Sequence, residues 1–255
     1  MKKLLKILLA IVVIVPLLAL GWLFYSTPRN LAVATPEAMA MLESDTAVHV
    51  EYDDWLVIQP ATGKPKAGLI LYIGANCDLP GYLPVLRDVA AAGYLVVIPS
   101  MPFDFAIFSP NKADDVMAAY PDIEQWVLAG HSMGGAMAGR YADLYPEKLA
   151  GLVFWDAYPP GSNSLAESTL PVWHIHRATL DGTPSQTFSD MRELFPADSV
   201  WVGVPGGQHM YFGAFDGGVY VEEWPAGIER DDQHMMVRFT TLSAMDQMTG
   251  HHSAP

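Results

Sequence analysis

A single cysteine, Cys77, stands in the 255 residues, so no disulfide can close within the chain and the fold must rest on its core. Basic residues are scarce. The chain has 14 Lys and Arg against 28 Asp and Glu, a formal charge of −14. Three of those basic residues, Lys2, Lys3 and Lys6, lie ahead of an apolar segment, so the remainder is more acidic still. Such a surface repels a polyanion, which excludes nucleic acid as a partner. Charged residues make up only 16% of the chain and hydrophobic ones 51%, which excludes an intrinsically disordered protein. No internal repeat and no low-complexity tract interrupts the pattern. One α/β domain of ordinary size accounts for the length.

What is present begins with an uncharged run from Ile7 to Tyr25, 19 positions long. At about 1.5 Å per helical residue it nearly matches a hydrocarbon core of about 30 Å, and it exceeds the usual signal-peptide apolar region of about 7–15 residues. Pro16 is tolerated in a membrane helix, and Trp22 and Tyr25 sit where interfacial aromatics belong. The reading is a signal-anchor or transmembrane segment over 1–25. The lysines stay cytoplasmic and the rest of the chain lies on the extracytoplasmic side. Ala32-Val-Ala34 keeps open the alternative of a cleaved signal and a secreted protein.

Residues 26–47 read as a linker with a short helix around Pro36–Glu43, and 48–250 as the main folded domain. Val48–Tyr52 and Trp55–Gln59 flank Asp53-Asp54 as a hairpin. Apolar runs at Gly68–Ile73, Tyr94–Pro99, Trp126–Ala129, Leu149–Trp155, Val172–His176 and Val200–Val204 follow. They are interleaved with helical stretches at Tyr82–Ala92, Lys112–Ala119 and Met133–Tyr145, and Asp231–Met245 closes the chain as a helix. This alternation predicts an α/β fold: a mostly parallel sheet with helices on both faces.

The strongest chemical signal is Trp126-Val-Leu-Ala-Gly130-His131-Ser132-Met133-Gly134-Gly135. It reads strand, Gly-x-Ser-x-Gly, helix, which is the context a nucleophile elbow requires. The turn is sharp, so Gly130 and Gly134 must be small, and Ser132 projects its hydroxyl from the top of the sheet. The amide of Met133 points, with the helix N-terminus, toward a developing oxyanion. A second donor belongs to the loop Gly74-Ala75-Asn76-Cys77 after the early strand, and Ala75 is the choice. Cys77 itself is read as packing rather than as a nucleophile.

A hydroxyl needs a base oriented by an acid, in the chain order Ser, Asp or Glu, His at the ends of successive strands. His209 follows Val200–Val204 and the loop Pro205-Gly-Gly-Gln208, where the base belongs. His131 is expected to pack below the serine. His174 and His176 share a strand face, a spacing that suits packing or metal chelation. Two carboxylates fit the acid. Asp181, after Val172–His176 and before Gly182, is preferred. Asp156, at the end of the previous strand, is the alternative.

On these motifs the core resembles the α/β-hydrolase superfamily, and specifically the small bacterial group called the α/β-hydrolase fold-5 type. The resemblance runs from about Leu69 to Gln233. Its matches are Leu71-Tyr-Ile-Gly74 with Gly81-Tyr-Leu-Pro84, Ala91-Ala-Gly-Tyr-Leu-Val96, Gly130-His-Ser-Met-Gly-Gly-Ala-Met-Ala138, Leu180-Asp-Gly182 and Gly206-Gly-Gln-His-Met-Tyr-Phe-Gly213. The last resembles the family's glycine-rich histidine loop and implies His209 as base. The family's Gly-Thr-x-Asp approach to the acid reads Arg177-Ala-Thr-Leu-Asp181 here.

The expected activity is hydrolysis of a carboxylic ester or related acyl bond, in a small-molecule or lipid-like substrate, through an acyl-enzyme. No metal and no cofactor are called for. An acyltransferase with the same triad and a non-catalytic envelope binding protein are the alternatives. Only 16 residues, Asp156 to Pro171, separate the strand ending at Trp155 from the next, too few for a helical cap. An open cleft is therefore expected, with Tyr158, Tyr211 and Phe212 as wall or core.

Overall fold

The computed structural model describes residues 2–251 and, within the first helix, the side chains of residues 3, 4, 8, 11–22 and 25. The elements in chain order are α1 (Lys2–Asn30), β1 (Ala32–Ala34), α2 (Pro36–Ala40), β2 (Val48–Tyr52), β3 (Trp55–Pro60), β4 (Gly68–Tyr72), α3 (Leu83–Ala91), β5 (Leu95–Pro99), α4 (Lys112–Ala119), β6 (Trp126–His131), α5 (Met133–Leu144), β7 (Gly151–Trp155), β8 (Val172–Ala178), α6 (Gln186–Asp190), β9 (Val200–Pro205), β10 (Phe215–Gly217) and α7 (Arg230–Thr249).

Eight strands form one sheet in the order β2-β3-β5-β4-β6-β7-β8-β9. The hairpin β2–β3 and the β3–β5 pair are antiparallel, and every later pair is parallel. The short, continuous apolar runs explain the burial. Strands β4, β5, β6 and β7 are buried at every position, as expected for parallel strands covered on both sides. Neighbouring residues of β7 show the two layers. The Trp155 indole N–H donates to Thr241 Oγ1 of α7 at 3.2 Å. Phe154, pointing the other way, lies under Gly139 of α5.

Two expectations about the N-terminal region change. The stretch expected as a linker holds the short helix expected there, α2, whose cap Thr35 accepts the Ala38 amide at 3.3 Å, but it also contributes a strand to the fold: β1 pairs antiparallel with β10. The expected membrane-spanning helix is also not found. The segment is helical as α1, but among the described residues no helix is long and apolar enough to cross a membrane. The longest stretch of α1 with described side chains, residues 11–22, rises about 18 Å against about 30 Å of hydrocarbon. All twelve of those residues are exposed. They span more than three turns, so among the described residues none covers a face of that stretch.

Candidate active site

The parallel register brings the chemistry together. His131 at the end of β6 pairs with Trp155 at the end of β7, so the next residues, Ser132 and Asp156, leave adjacent strands side by side. Ser132 takes φ 54° and ψ −123° between β6 and α5, a left-handed conformation that costs a non-glycine residue of order 1–3 kcal/mol. The flanking glycines make this turn possible. A Cβ on Gly130 would lie 2.5 Å from the Gly134 carbonyl oxygen, and one on Gly134 would lie 2.2 Å from that of Tyr72. Asp156 also has positive φ, 49°.

His209 hangs from the loop after β9. The Ser132 hydroxyl donates to its Nε2 at 2.9 Å, and its Nδ1–H donates to Asp156 Oδ2 at 2.6 Å. The carboxylate also accepts the Arg177 amide at 2.8 Å and pairs with the Arg177 guanidinium. Burial alone would push the Asp156 carboxyl up. The hydrogen bond and charge of His209, then Arg177, outweigh it and hold the group well below the usual carboxylate range. Arg177 Nη1 lies 3.3 Å from His209 Nδ1, so two donors converge on one carboxylate, and Nη2 reaches Glu223 at 3.3 Å.

Asp181, the preferred acid, is not part of this group. Its carboxylate accepts Thr179 Oγ1–H at 2.5 Å and the Thr183 amide at 3.1 Å, closing its own exposed turn beyond β8. The physical reason is that β7, not β8, is the neighbour of β6, and the space at the end of β8 is filled by Arg177. The alternative acid, Asp156, is the one in contact with His209.

The Ala75 loop is held tightly. The Gly74 amide donates to Tyr82 Oη at 2.9 Å, the Asn76 amide to the Asp104 carbonyl at 3.0 Å and the Cys77 amide to the Gly74 carbonyl at 3.3 Å. Among the described residues the Ala75 amide has no acceptor, and Ala75 lines the same cavity as Ser132. Met133 opens α5, where amides have no helical partner. Cys77 is buried, its thiol 3.7 Å from the Ala75 carbonyl. Burial pushes that thiol up to about 12, so it is no nucleophile at neutral pH.

His131 is fully buried beneath the site. His174 and His176 are buried with rings stacked at 4.7 Å. No group of three or more metal-ligating side chains converges among the described residues. Phe212 is buried against His131, Tyr158 lines a cavity at Ser132, and Tyr211 stacks under Arg230 instead.

No helical cap stands between β7 and β8, only a 3₁₀ turn at Gly161–Asn163. Cover comes from a part of the chain that sequence reasoning missed, the strap after β10. Glu222 accepts the amides of His209 at 2.9 Å and Met210 at 2.8 Å. This pins the strap so that the Tyr220 ring stacks on His209 at 3.9 Å. Tyr220 lines both cavities at Ser132, of about 360 Å³ and about 480 Å³. Nothing in the local sequence signals this strap beyond its aromatic and acidic content.

A serine on a strained strand-to-helix turn, a histidine within reach and a buried carboxylate on the adjacent strand define the class of α/β folds built around a nucleophile elbow. Residues 68–233 match the alpha/beta hydrolase family, of the fold-5 type, and the chain belongs to that family. It is 31% identical over 140 residues to 2-hydroxy-6-oxononadienedioate/2-hydroxy-6-oxononatrienedioate hydrolase of Paraburkholderia phymatum, an overlap of 50% of this chain and 46% of the relative. A shorter stretch of 49 residues, 19% of either chain, is 45% identical to polyneuridine aldehyde esterase of Rauvolfia serpentina. The chain thus spans less than half the length of these curated relatives. Among solved structures it resembles ferulic acid esterase from Streptomyces cinnamoneus, with a TM-score of 0.56 at 18% identity, covering 77% of this chain and 71% of that one.

Proposed function

We propose that the protein is a serine hydrolase that cleaves a carboxylic ester or related acyl bond through an acyl-enzyme. The observation that carries this reading is the continuous path Ser132 Oγ to His209 Nε2 at 2.9 Å and His209 Nδ1 to Asp156 Oδ2 at 2.6 Å. Ser132 Oγ attacks the acyl carbon while its proton passes to His209 Nε2. The carbonyl oxygen becomes an oxyanion that accepts from the Met133 and Ala75 amides. Collapse expels the alcohol, which takes the proton from His209. Water then attacks the acyl-enzyme, gives a proton to His209, and the acid product leaves as Ser132 is reprotonated. Asp156 stays ionised throughout and keeps the proton of the resting imidazole on Nδ1.

The two cavities at Ser132 suit a small ester with two arms. One is walled by Phe105, Met210, Val219 and Val221, the other by Tyr158, Arg177, Thr187 and Phe188. The esterase names among the relatives fit this substrate class. Turnover of p-nitrophenyl esters of graded chain length tests the reading, with Ser132→Ala as the baseline. Equal rates for the two proteins overturn it.

The catalytic domain is further proposed to act on the extracytoplasmic side, held at a membrane by its N-terminal segment. The supporting features are the uncharged run Ile7–Tyr25 behind three lysines and the exposure of the apolar side chains at 11–22. Cell fractionation, with protease added to intact cells, checks this. Recovery in the soluble cytoplasmic fraction contradicts it.

A further inference from the structure

His131 and Tyr82 are fully buried, yet both carry polar groups into the core. A buried polar group left unpaired is destabilising. Here every such group is paired, and one assignment of protons satisfies them all. The Gly74 amide donates to Tyr82 Oη at 2.9 Å. The Tyr82 hydroxyl donates to His131 Nδ1 at 2.9 Å. His131 Nε2–H donates to the main-chain carbonyl of His209 at 3.1 Å. The chain therefore begins at the amide preceding Ala75 and ends on the backbone of the histidine that faces Ser132.

We infer that Tyr82 and His131 are positioning residues: a hydrogen-bonded tie that fixes the oxyanion-binding turn and the His209 backbone relative to one another. This rests on the hydrolase reading above. Two features of the geometry support it. The Gly74–Cys77 turn offers one unengaged amide, that of Ala75, and its neighbour Gly74 is the residue Tyr82 holds. The His209 backbone is held from the opposite side by Glu222, which takes the amide while His131 takes the carbonyl. Burial, with His209 close by, pushes His131 down to about 3, so the tie keeps one protonation state across the working range. A shift of a few tenths of an ångström at either end misaligns donor and oxyanion, and such misplacement is felt in the transition state more than in substrate binding.

The test is a double-mutant cycle on the full chain with a p-nitrophenyl ester, comparing wild type, Tyr82→Phe, His131→Phe and the double variant. Tyr82→Phe should lower kcat about 10-fold with KM within 2-fold, and should weaken a trifluoromethyl ketone inhibitor by a matching factor. The double variant should be no worse than His131→Phe alone, because one tie is broken once. Unchanged kcat in Tyr82→Phe, a loss confined to KM, or multiplicative losses in the double variant overturn the inference. If His131→Phe does not fold, His131→Gln takes its place in the cycle. In that cycle the same reading holds: a double variant no worse than the slower single variant supports the tie, and a double variant slower by the product of two separate losses overturns it. A wild type no faster than Ser132→Ala indicts the hydrolase reading instead.

Discussion

Replacing Asp156 by asparagine isolates what the buried carboxylate does. The side chain is fully buried and one oxygen receives the His209 Nδ1 proton at 2.6 Å. Asparagine keeps the volume but can turn its NH₂ toward Nδ1. That places the imidazole proton on Nε2, where the ring can no longer accept from Ser132. In a serine triad this change lowers kcat by about 10⁴. The same carboxylate pairs with Arg177, whose side chain is 8% exposed, and losing a charge-assisted hydrogen bond costs about 1.5–3 kcal/mol. For a domain of this size that lowers Tm by roughly 5–10 °C. Asp181→Asn should leave kcat within 2-fold, since that carboxylate only closes the Thr179–Thr183 turn. Ester turnover and thermal melts of the two variants decide between the two carboxylates. If Asp156→Asn keeps more than a tenth of the activity, or Asp181→Asn falls as far, the assignment of the acid is refuted.

Stability should fall in mild acid. His131 and His174 are buried and held neutral, pushed below the ordinary imidazole value chiefly by burial. The unfolded chain therefore takes up protons below about pH 6.5 that the folded one does not. By pH 5.5 each contributes a loss on the order of 1 kcal/mol, and His176 and His234 push the same way. Asp156, held low, acts only in stronger acid, where its protonation on unfolding adds a further loss. Thermal melts from pH 8 to 5 check this, and a Tm flat across that range contradicts it. Gly134→Ala should destabilise by about 3 kcal/mol or prevent folding, because the new Cβ meets the Tyr72 and Ile73 carbonyl oxygens at 2.2 and 2.4 Å; denaturant melts measure it. Tyr220→Ala joins the two cavities that Tyr220 lines, and should move relative kcat/KM toward bulkier acyl groups in a chain-length series. An unchanged preference would remove Tyr220 from the specificity argument.

The order of strands and helices was legible because parallel strands buried on both faces leave short apolar runs, as in Leu69–Ile73 and Leu152–Trp155. The elbow was legible because its two glycines and the serine between them stand within five residues of one another, after an apolar strand and before a helix. The acid was not, because both candidates end strands and the choice depends on which strand lies beside β6 and on where the Arg177 side chain goes. Periodicity carries neither fact. Asp181 also resembled the acid locally, since a carboxylate before a glycine is equally what a tight turn uses. The strap was missed for a related reason. Glu222 reaches the His209 amide through a loop with no regular pattern, so only the folded chain brings them together. The pairing of β1 with β10 joins segments nearly two hundred residues apart, and three-residue strands give no readable alternation.

The central claim is that Ser132 is the nucleophile of a hydrolase. It is tested most directly by treating the full-length protein with a fluorophosphonate and mapping the modified residue by mass spectrometry, in wild type and in His209→Ala. The account predicts a single adduct, on Ser132, that forms rapidly in the wild type and at least a thousandfold more slowly without the histidine. Labelling at another residue, or labelling of Ser132 at the same rate in both proteins, would contradict it.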